Sequence, residues 1–306
     1  MNILLLLSRA LHMSTPLILG SIAEVYSEKT GVMNIAIEGV FLIGAWGGFV
    51  GAYTFDSILL GFITAFICGA LAGSVYGLIT VKFKQHQIVT GVAFNILLAG
   101  LTIYLYRVIF GIRTSPVRVS TLPRIIIPGL SRIPLIGPVI FTQNIMTYLV
   151  LLFVPVAYWV LFKTKLGLII RSTGANPEAV DAAGISVEKV RYLTVIVTSG
   201  LSSVAGSFYV LGFLGLFTQG IIGGRGWIAF AICFLGNWHP IGALLGALAF
   251  GFADGLSVFF QTAGIQAIPN ELLIALPYIL TIIATIVRSS ISVPEFLGEA
   301  YVKEKN

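Results

Sequence analysis

The chain has 306 residues, 57% of them hydrophobic and only 10% charged, with a mean hydropathy of +1.00. Water-soluble domains carry about 25% charged residues, so this composition excludes a water-facing fold and makes lipid the solvent. The formal net charge of +6 does not point to nucleic acid, because no basic patch with interleaved aromatic residues occurs and the basic residues lie between apolar segments. There they serve as orientation determinants.

Apolar segments of about 20 residues, the length that crosses a hydrocarbon core of about 30 Å, recur along the chain. They predict an all-α polytopic membrane protein with about nine membrane segments in one transmembrane domain over 1–306: 5–26, 32–53, 57–81, 88–110, 144–162, 192–214, 222–237, 240–262 and 270–288. The first segment follows no basic n-region and precedes no small-residue cleavage site, so it reads as an uncleaved span. Segment 222–237 is short and polar at its start, which suggests a re-entrant or broken helix.

The eight lysines (Lys29, Lys82, Lys84, Lys163, Lys165, Lys189, Lys303 and Lys305) fall at alternate ends of these spans. Placing all of them in the cytoplasm puts the N-terminus outside and the C-terminus inside. Eleven of the 18 basic residues then lie inside and five outside (Arg113, Arg118, Arg124, Arg132 and Arg225), with Arg9 and Arg107 near outer helix ends. Loop 111–143 is extracytoplasmic in this topology. Its five prolines forbid a regular helix through it and predict a short structured cap over the outer mouth. Loop 163–191 is cytoplasmic. A faint echo lays IAIEGVFLIGAW (35–46) over WIAFAICFLGNW (227–238), matching Gly44 with Gly236 and Trp46 with Trp238. The two segments run in opposite directions, the pattern of an inverted-repeat transporter.

Polar residues at membrane depth are the candidates for function. Asn34 and Glu38, four residues apart, share one face of any helix they form. They line a solute path or clamp the structure. Asp254 is the second deep acid, facing a pathway or a neighbouring helix. Thr90 and Asn95 in the fourth span, and Ser202 and Ser203 in the sixth, can line a polar route or hold helices together. Arg225 and Trp227 follow Gly223-Gly224 near the outer mouth, where Trp227 either anchors in the interface or stacks on a solute ring. Gly69, Gly73 and Gly77, and Gly242 and Gly246, recur at helical spacing suited to close helix packing. His12, His86 and His239 are dispersed, and Cys68 and Cys233 lie far apart in apolar runs, so neither a metal site nor a disulfide framework is expected. No nucleophile, base and orienting group occur together, so no catalytic site is expected.

In the cytoplasmic loop, RSTGANPEAVDAAGISVEKV carries a turn at Gly174-Ala175-Asn176-Pro177. Asn176 can cap the helix that follows, Pro177 suits its first position, and Glu178 and Asp181 complement its dipole. Gly184 ends it. The product is a short, rigid, alanine-rich peg over 176–184, either a well-capped loop or a docking element for a soluble partner.

Glu178-Ala179-Val180, three residues, then Gly184 resembles the Glu-Ala-Ala-x-x-x-Gly signature of ABC importer permeases, with Val180 in place of Ala. GANPEAVDAAGI resembles the branch serving branched-chain amino acids, ribose and nucleosides. SEKTGVMNIAIEGVFLIGA, GGRGWIAFAICFLGNWHPIGALLGALAFGFADGL and IPNELLIALPYILTII are similar to the shorter permease of nucleoside and simple-sugar importers that use a basic-membrane-protein-type binding lipoprotein. This resemblance implies that Asn176, Pro177, Glu178, Ala179, Asp181 and Gly184 form the coupling helix docked on an ATPase. It implies three partners in a bacterial inner membrane: a second, longer permease forming a heterodimer, an ATP-binding subunit with two nucleotide-binding modules, and the external binding lipoprotein. The chain has no Gly-Lys dipeptide and hence no phosphate loop of the form G-x-x-x-x-G-K-[ST]. No cofactor is therefore expected in this chain, with ATP and Mg bound by the partner. The solute path would draw on Asn34, Glu38, Thr90, Asn95, Trp227 and Asp254. Nucleosides are the leading solute, with a simple sugar or a flavin-like molecule as the alternative. A carrier driven by protons through Glu38 and Asp254 is the rival mechanism; it has no need of the peg.

Overall fold

The computed structural model describes residues 3–111, 115–134, 136–262 and 292–302, with four isolated positions between 275 and 286. The described residues form helices α1 (Ile3–Lys29), α2 (Ile37–Phe55), α3 (Ile58–Gly77), α4 (Gln87–Phe110), α5 (Gly137–Ile140), α6 (Ile145–Lys163), α7 (Lys165–Ala175), α8 (Pro177–Ala182), α9 (Val187–Phe208), α10 (Arg225–Leu235) and α11 (Pro240–Thr262). Two of them end in a wider π-type turn, α3 through Leu78–Lys82 and α9 through Tyr209–Leu214. Seven described helices (α1, α2, α3, α4, α6, α9 and α11) are long and apolar enough to cross a membrane. They coincide with seven of the nine predicted segments. The predicted segment 222–237 is the 11-residue α10, too short to cross. The predicted segment 270–288 lies outside the described residues apart from the isolated positions.

Lipid and protein faces separate by burial. Along α3, Leu59, Ile63, Ile67, Leu71 and Val75 recur every four residues on the exposed side, an apolar stripe that only lipid or another membrane protein can solvate. The opposite face is glycine. A Cβ at Gly69 or Gly73 would run into Ser203 and Ser199 of α9, and one at Gly77 would press on Tyr192. The glycine spacing read from the sequence thus brings the backbones of α3 and α9 together. Gly44 meets the Ser203 carbonyl and Gly206 the Phe41 carbonyl in the same way, closing α2 on α9. The centre of the bundle is α1, α2 and α9, of which 67%, 67% and 72% is buried, against 22% for α4.

Each end has its own cap. The described residues of loop 111–143 are largely irregular chain with two short helical turns, Leu130–Arg132 and α5. It leans on the π turn of α9, where the Leu211 and Gly215 carbonyls accept from Leu122 and Val119 N–H at 2.8 and 2.7 Å. It also reaches the start of α1, where Gln143 Nε2 donates to the Ser8 carbonyl at 3.0 Å. At the opposite end, α7 and α8 fold under α1. Phe296 N–H bonds the Gly174 carbonyl and Gly298 N–H the Gly31 carbonyl, each at 3.0 Å. The amphipathic α7 is absent from the sequence reading, which expected a turn and one short helix in loop 163–191. Thr164 caps α7 by accepting from Gly167 N–H at 3.2 Å.

Candidate solute site at two helix breaks

The chain is non-helical at 30–36, a segment that is almost wholly buried, and again at 215–224, which is part buried and part exposed. Irregular backbone survives at membrane depth only where protein satisfies its polar groups or where it lines a cavity. The two breaks adopt these two solutions.

Residues 30–36 are sealed. Thr30, Val32, Asn34 and Ala36 have no exposure at all. Gln87 Oε1 accepts from Met33 N–H at 2.8 Å, and the Tyr76 hydroxyl donates to the Met33 carbonyl at 2.7 Å. Glu24 Oε1 accepts from Asn34 N–H at 3.0 Å, and Arg191 Nε donates to the Thr30 carbonyl at 2.9 Å. Asn95 spans the end of the break, its Nδ2 on the Ile35 carbonyl at 2.8 Å and its Oδ1 on Gly39 N–H at 2.7 Å.

At 215–224 the chain turns through glycines with positive φ, among them Gly223 (58°) and Gly224 (83°). Here the left-handed region is required, and glycine adopts it at no steric cost. The turn presents the N-terminus of α10 to Glu38 in the first turn of α2. Glu38 Oε1 accepts from Gly224 N–H and Oε2 from Gly226 N–H, both at 2.8 Å. A carboxylate here satisfies two N–H groups that have no partner within α10 and faces the positive end of the helix dipole. Glu38 lies two residues past the first break and holds the second, so the breaks meet at one side chain.

This clamp aims Arg225 across a cavity. Arg225 Nε lies 3.6 Å from Asp254 Oδ2 on α11, and the guanidinium carbon sits 5.3 Å from the centroid of the Tyr209 ring. The cavity, about 170 Å³, is lined by Met13, Tyr209, Phe213, Leu214, Ile221, Arg225 and Asp254. Tyr209 and Phe213 lie on the π turn of α9 and are stacked, with centroids 5.8 Å apart and planes at 16°. The Tyr209 hydroxyl is buried and has no hydrogen-bond partner in the protein. π turns occur frequently at functional sites because they re-aim side chains that an α-helix would align.

Of the residues expected on a solute path, Glu38 and Asp254 come together with Arg225 at this cavity and its frame. Asn95 serves the sealed break. Asn34 is buried beside it, with its main chain on Glu24 and its side-chain amide without a protein partner. The structure therefore does not pair Asn34 with Glu38. Thr90 is half-buried in the first turn of α4. Trp227 is 40% exposed, packs edge-on against Phe230 and is not part of the cavity lining.

The peg residues have the local structure their chemistry implies. Asn176 Oδ1 accepts from Ala179 N–H at 2.9 Å, and Pro177 opens α8. Gly184, at φ 80°, closes it, with Gly184 N–H on the Asp181 carbonyl at 2.9 Å and Ile185 N–H on the Val180 carbonyl at 3.2 Å. Glu178 and Ala179 are exposed, Asp181 is half-buried, and Pro177 and Val180 face the protein.

Three residues of consequence escaped the sequence reading. Tyr209 looked like one more apolar position of a span. Glu24 and Glu28 are 0% and 2% exposed. Glu28 Oε2 accepts from the Trp238 indole N–H and lies 3.9 Å from Cys233 Sγ. Their spacing, two acids one helical turn apart in AEVYSEK, was the available signal.

Comparison with known proteins decides the family. The family described as "Branched-chain amino acid transport system / permease component" matches residues 6–285. This chain belongs to that permease family. Among its permease relatives, the guanosine ABC transporter permease protein NupQ of Bacillus subtilis is 36% identical over 95% of this chain and 94% of its own. The nucleoside ABC transporter permease protein NupC of Lactococcus lactis is 35% identical over 98% of both chains. A second Bacillus subtilis protein, the guanosine ABC transporter permease protein NupP, is 26% identical over 95% of this chain and 83% of its own. As a permease, the chain is a transport subunit of a multi-pass membrane type and not an enzyme.

Proposed function

We propose that this permease moves nucleosides inward across a bacterial cell membrane by alternating access, driven by ATP that a separate subunit hydrolyses. The carrying observation is the joint one. The chain matches guanosine and nucleoside permeases along almost its whole length, and it holds an ion-paired, aromatic cavity at a broken helix. Solute sites in transporters are commonly built at such discontinuous helices. The segments of the internal echo, α2 and α10, each follow one of the two breaks, which favours an inverted-repeat architecture.

Two permease relatives come from one organism, which supports a heterodimer of this chain with a second, longer permease, served by an ATPase with two nucleotide-binding modules and an external binding lipoprotein. α8 is the coupling helix in this reading. Pro177 and Val180 are seated in the protein, while Glu178 and Ala179 face outward, toward the ATPase in this reading. The orientation, assigned by charge, has loop 111–143 and the N-terminus outside, and α7, α8 and the C-terminus with Lys303 and Lys305 inside. Lys84 pairs with Glu188 of α9 at 3.7 Å, which ties the basic segment before α4 to the start of α9 just after α8.

The rival proton-driven mechanism needs a carboxyl free to exchange protons. Both oxygens of Glu38 are engaged by main-chain N–H donors, which suits a clamp. Uptake of labelled guanosine by cells expressing the full importer tests the reading. Transport is expected to survive collapse of the proton gradient while ATP is maintained; loss under those conditions overturns it. Cysteines at Lys84 and Ala179, both outside the buried set, are expected to react from the cytoplasm alone, and labelling of either from outside intact cells overturns the orientation.

A further inference from the structure

The nucleoside reading leaves undetermined which part of the solute the cavity receives. Its volume of about 170 Å³ is below the roughly 300 Å³ at which pockets for drug-sized ligands begin, so it accommodates one portion of a nucleoside. Its apolar lining (Met13, Phe213, Leu214 and Ile221) suits a flat ring. Its polar atoms are of three kinds. Arg225 brings N–H donors, Asp254 brings carboxylate acceptors 3.6 Å away on the neighbouring helix, and Tyr209 brings a buried hydroxyl. The hydroxyl is the telling atom. Tyr209 is 7% exposed, lines the cavity and satisfies nothing in the protein, whereas buried tyrosine hydroxyls ordinarily find a partner.

We infer, resting on the nucleoside reading, that this cavity is a base subsite that selects guanine by the edge carrying O6, N1–H and N2–H. The two adjacent donors of that edge meet the carboxylate of Asp254, and O6 accepts from Arg225. The Tyr209 hydroxyl supplies one further hydrogen bond to the bound base. Adenine offers the carboxylate a single amino group beside ring acceptors, hypoxanthine lacks the 2-amino group, and uracil sets one donor between two acceptors. Each leaves a buried polar atom of the site unpaired, and that mismatch is the basis of discrimination. Glu38 acts through position only, by fixing the end of α10 from which Arg225 projects.

The test is uptake of labelled guanosine and adenosine by proteoliposomes holding the complete importer with its binding protein, for the native complex and two variants. The same binding protein serves all three, so its own selectivity cancels in the ratio. Asp254→Asn is expected to lower the guanosine-to-adenosine uptake ratio about tenfold, the scale of one paired base contact. Tyr209→Phe is expected to lower guanosine uptake about threefold while assembly and melting temperature stay unchanged, because the hydroxyl bonds nothing in the empty protein. An unmoved ratio in an assembled Asp254→Asn complex overturns the assignment. So does a shift in the guanosine-to-2′-deoxyguanosine ratio with the base ratio constant, which would place ribose in the cavity. Should Asp254→Asn not assemble, Tyr209→Phe decides alone, and unchanged uptake overturns the proposal. A native complex that carries no nucleoside defeats the underlying reading; one that carries nucleosides with a ratio insensitive to these changes defeats only the subsite.

Discussion

The two helix breaks solve one problem with opposite means. At 30–36, polar groups from four helices converge on the open backbone: Glu24 of α1, Tyr76 of α3, Gln87 and Asn95 of α4, and Arg191 of α9. At 215–224, the α10 end is held by Glu38, and the adjoining side chains face a cavity. The sealed break has many supports and no room. The open one has one main support and unmet polar capacity in Tyr209. In the proposed reading the first is therefore a rigid floor and the second is the part that engages the solute and moves, as local stability is lowest where contacts are fewest.

Substitutions measure this asymmetry. Glu38→Ala removes both acceptors of the α10 end and leaves Gly224 and Gly226 N–H unpaired at membrane depth. With about 1.5 kcal/mol or more for each hydrogen bond to a charged group, it is expected to destabilise the detergent-solubilised complex by about 3 kcal/mol, read as the largest fall in melting temperature of the set, with transport lost. A Glu38→Ala complex that melts like the native one ends the clamp model. Asn95→Ala strips two main-chain partners from the sealed break and is expected to cost about 2 kcal/mol, with the guanosine-to-adenosine ratio unchanged; an altered ratio would erase the distinction between floor and site. Gln87→Ala removes one bond to Met33 and is expected to cost about 1 kcal/mol, because the neighbouring Tyr76 and Asn95 contacts remain. Asn176→Ala touches neither break. It uncaps α8 at a cost of about 1 kcal/mol and is expected to weaken solute-stimulated ATP hydrolysis more than complex stability; the reverse order would remove α8 from coupling.

What could be read from the chain alone follows interaction range. The spans are legible because each is a continuous apolar run, and α8 because its Asn176, Pro177 and Gly184 lie within eight positions of one another. The glycine row of α3 is legible as a packing face, although not its partner. Glu38 was visible as an anomaly, but its partners at Gly224 and Gly226 lie 186 and 188 residues away, and no local pattern encodes them. The role of Tyr209 depends on a π turn, a backbone choice that its apolar surroundings do not announce. Span 32–53 was set too early because Val32, Ile35 and Ala36 count as apolar in hydropathy, whether the backbone there is helical or not. α7 was missed because KLGLIIRSTGA, with two glycines, has weak helix propensity and owes its form to the Thr164 cap and its packing under α6.

The sealed break also has a bearing on how the protein is made. Residues 30–36 leave the ribosome before any of Tyr76, Gln87, Asn95 or Arg191, yet those side chains are what complete their hydrogen bonds. Chains enter the membrane from the N-terminus onward, and an unpartnered main-chain group in hydrocarbon is costly. The turn after α1 must therefore wait in a wet or interfacial environment until α4 is synthesised, and its last bond until α9 follows. The floor of the transporter is laid by helices that arrive after it, so lesions in α4 or α9 should act first as failures of biogenesis.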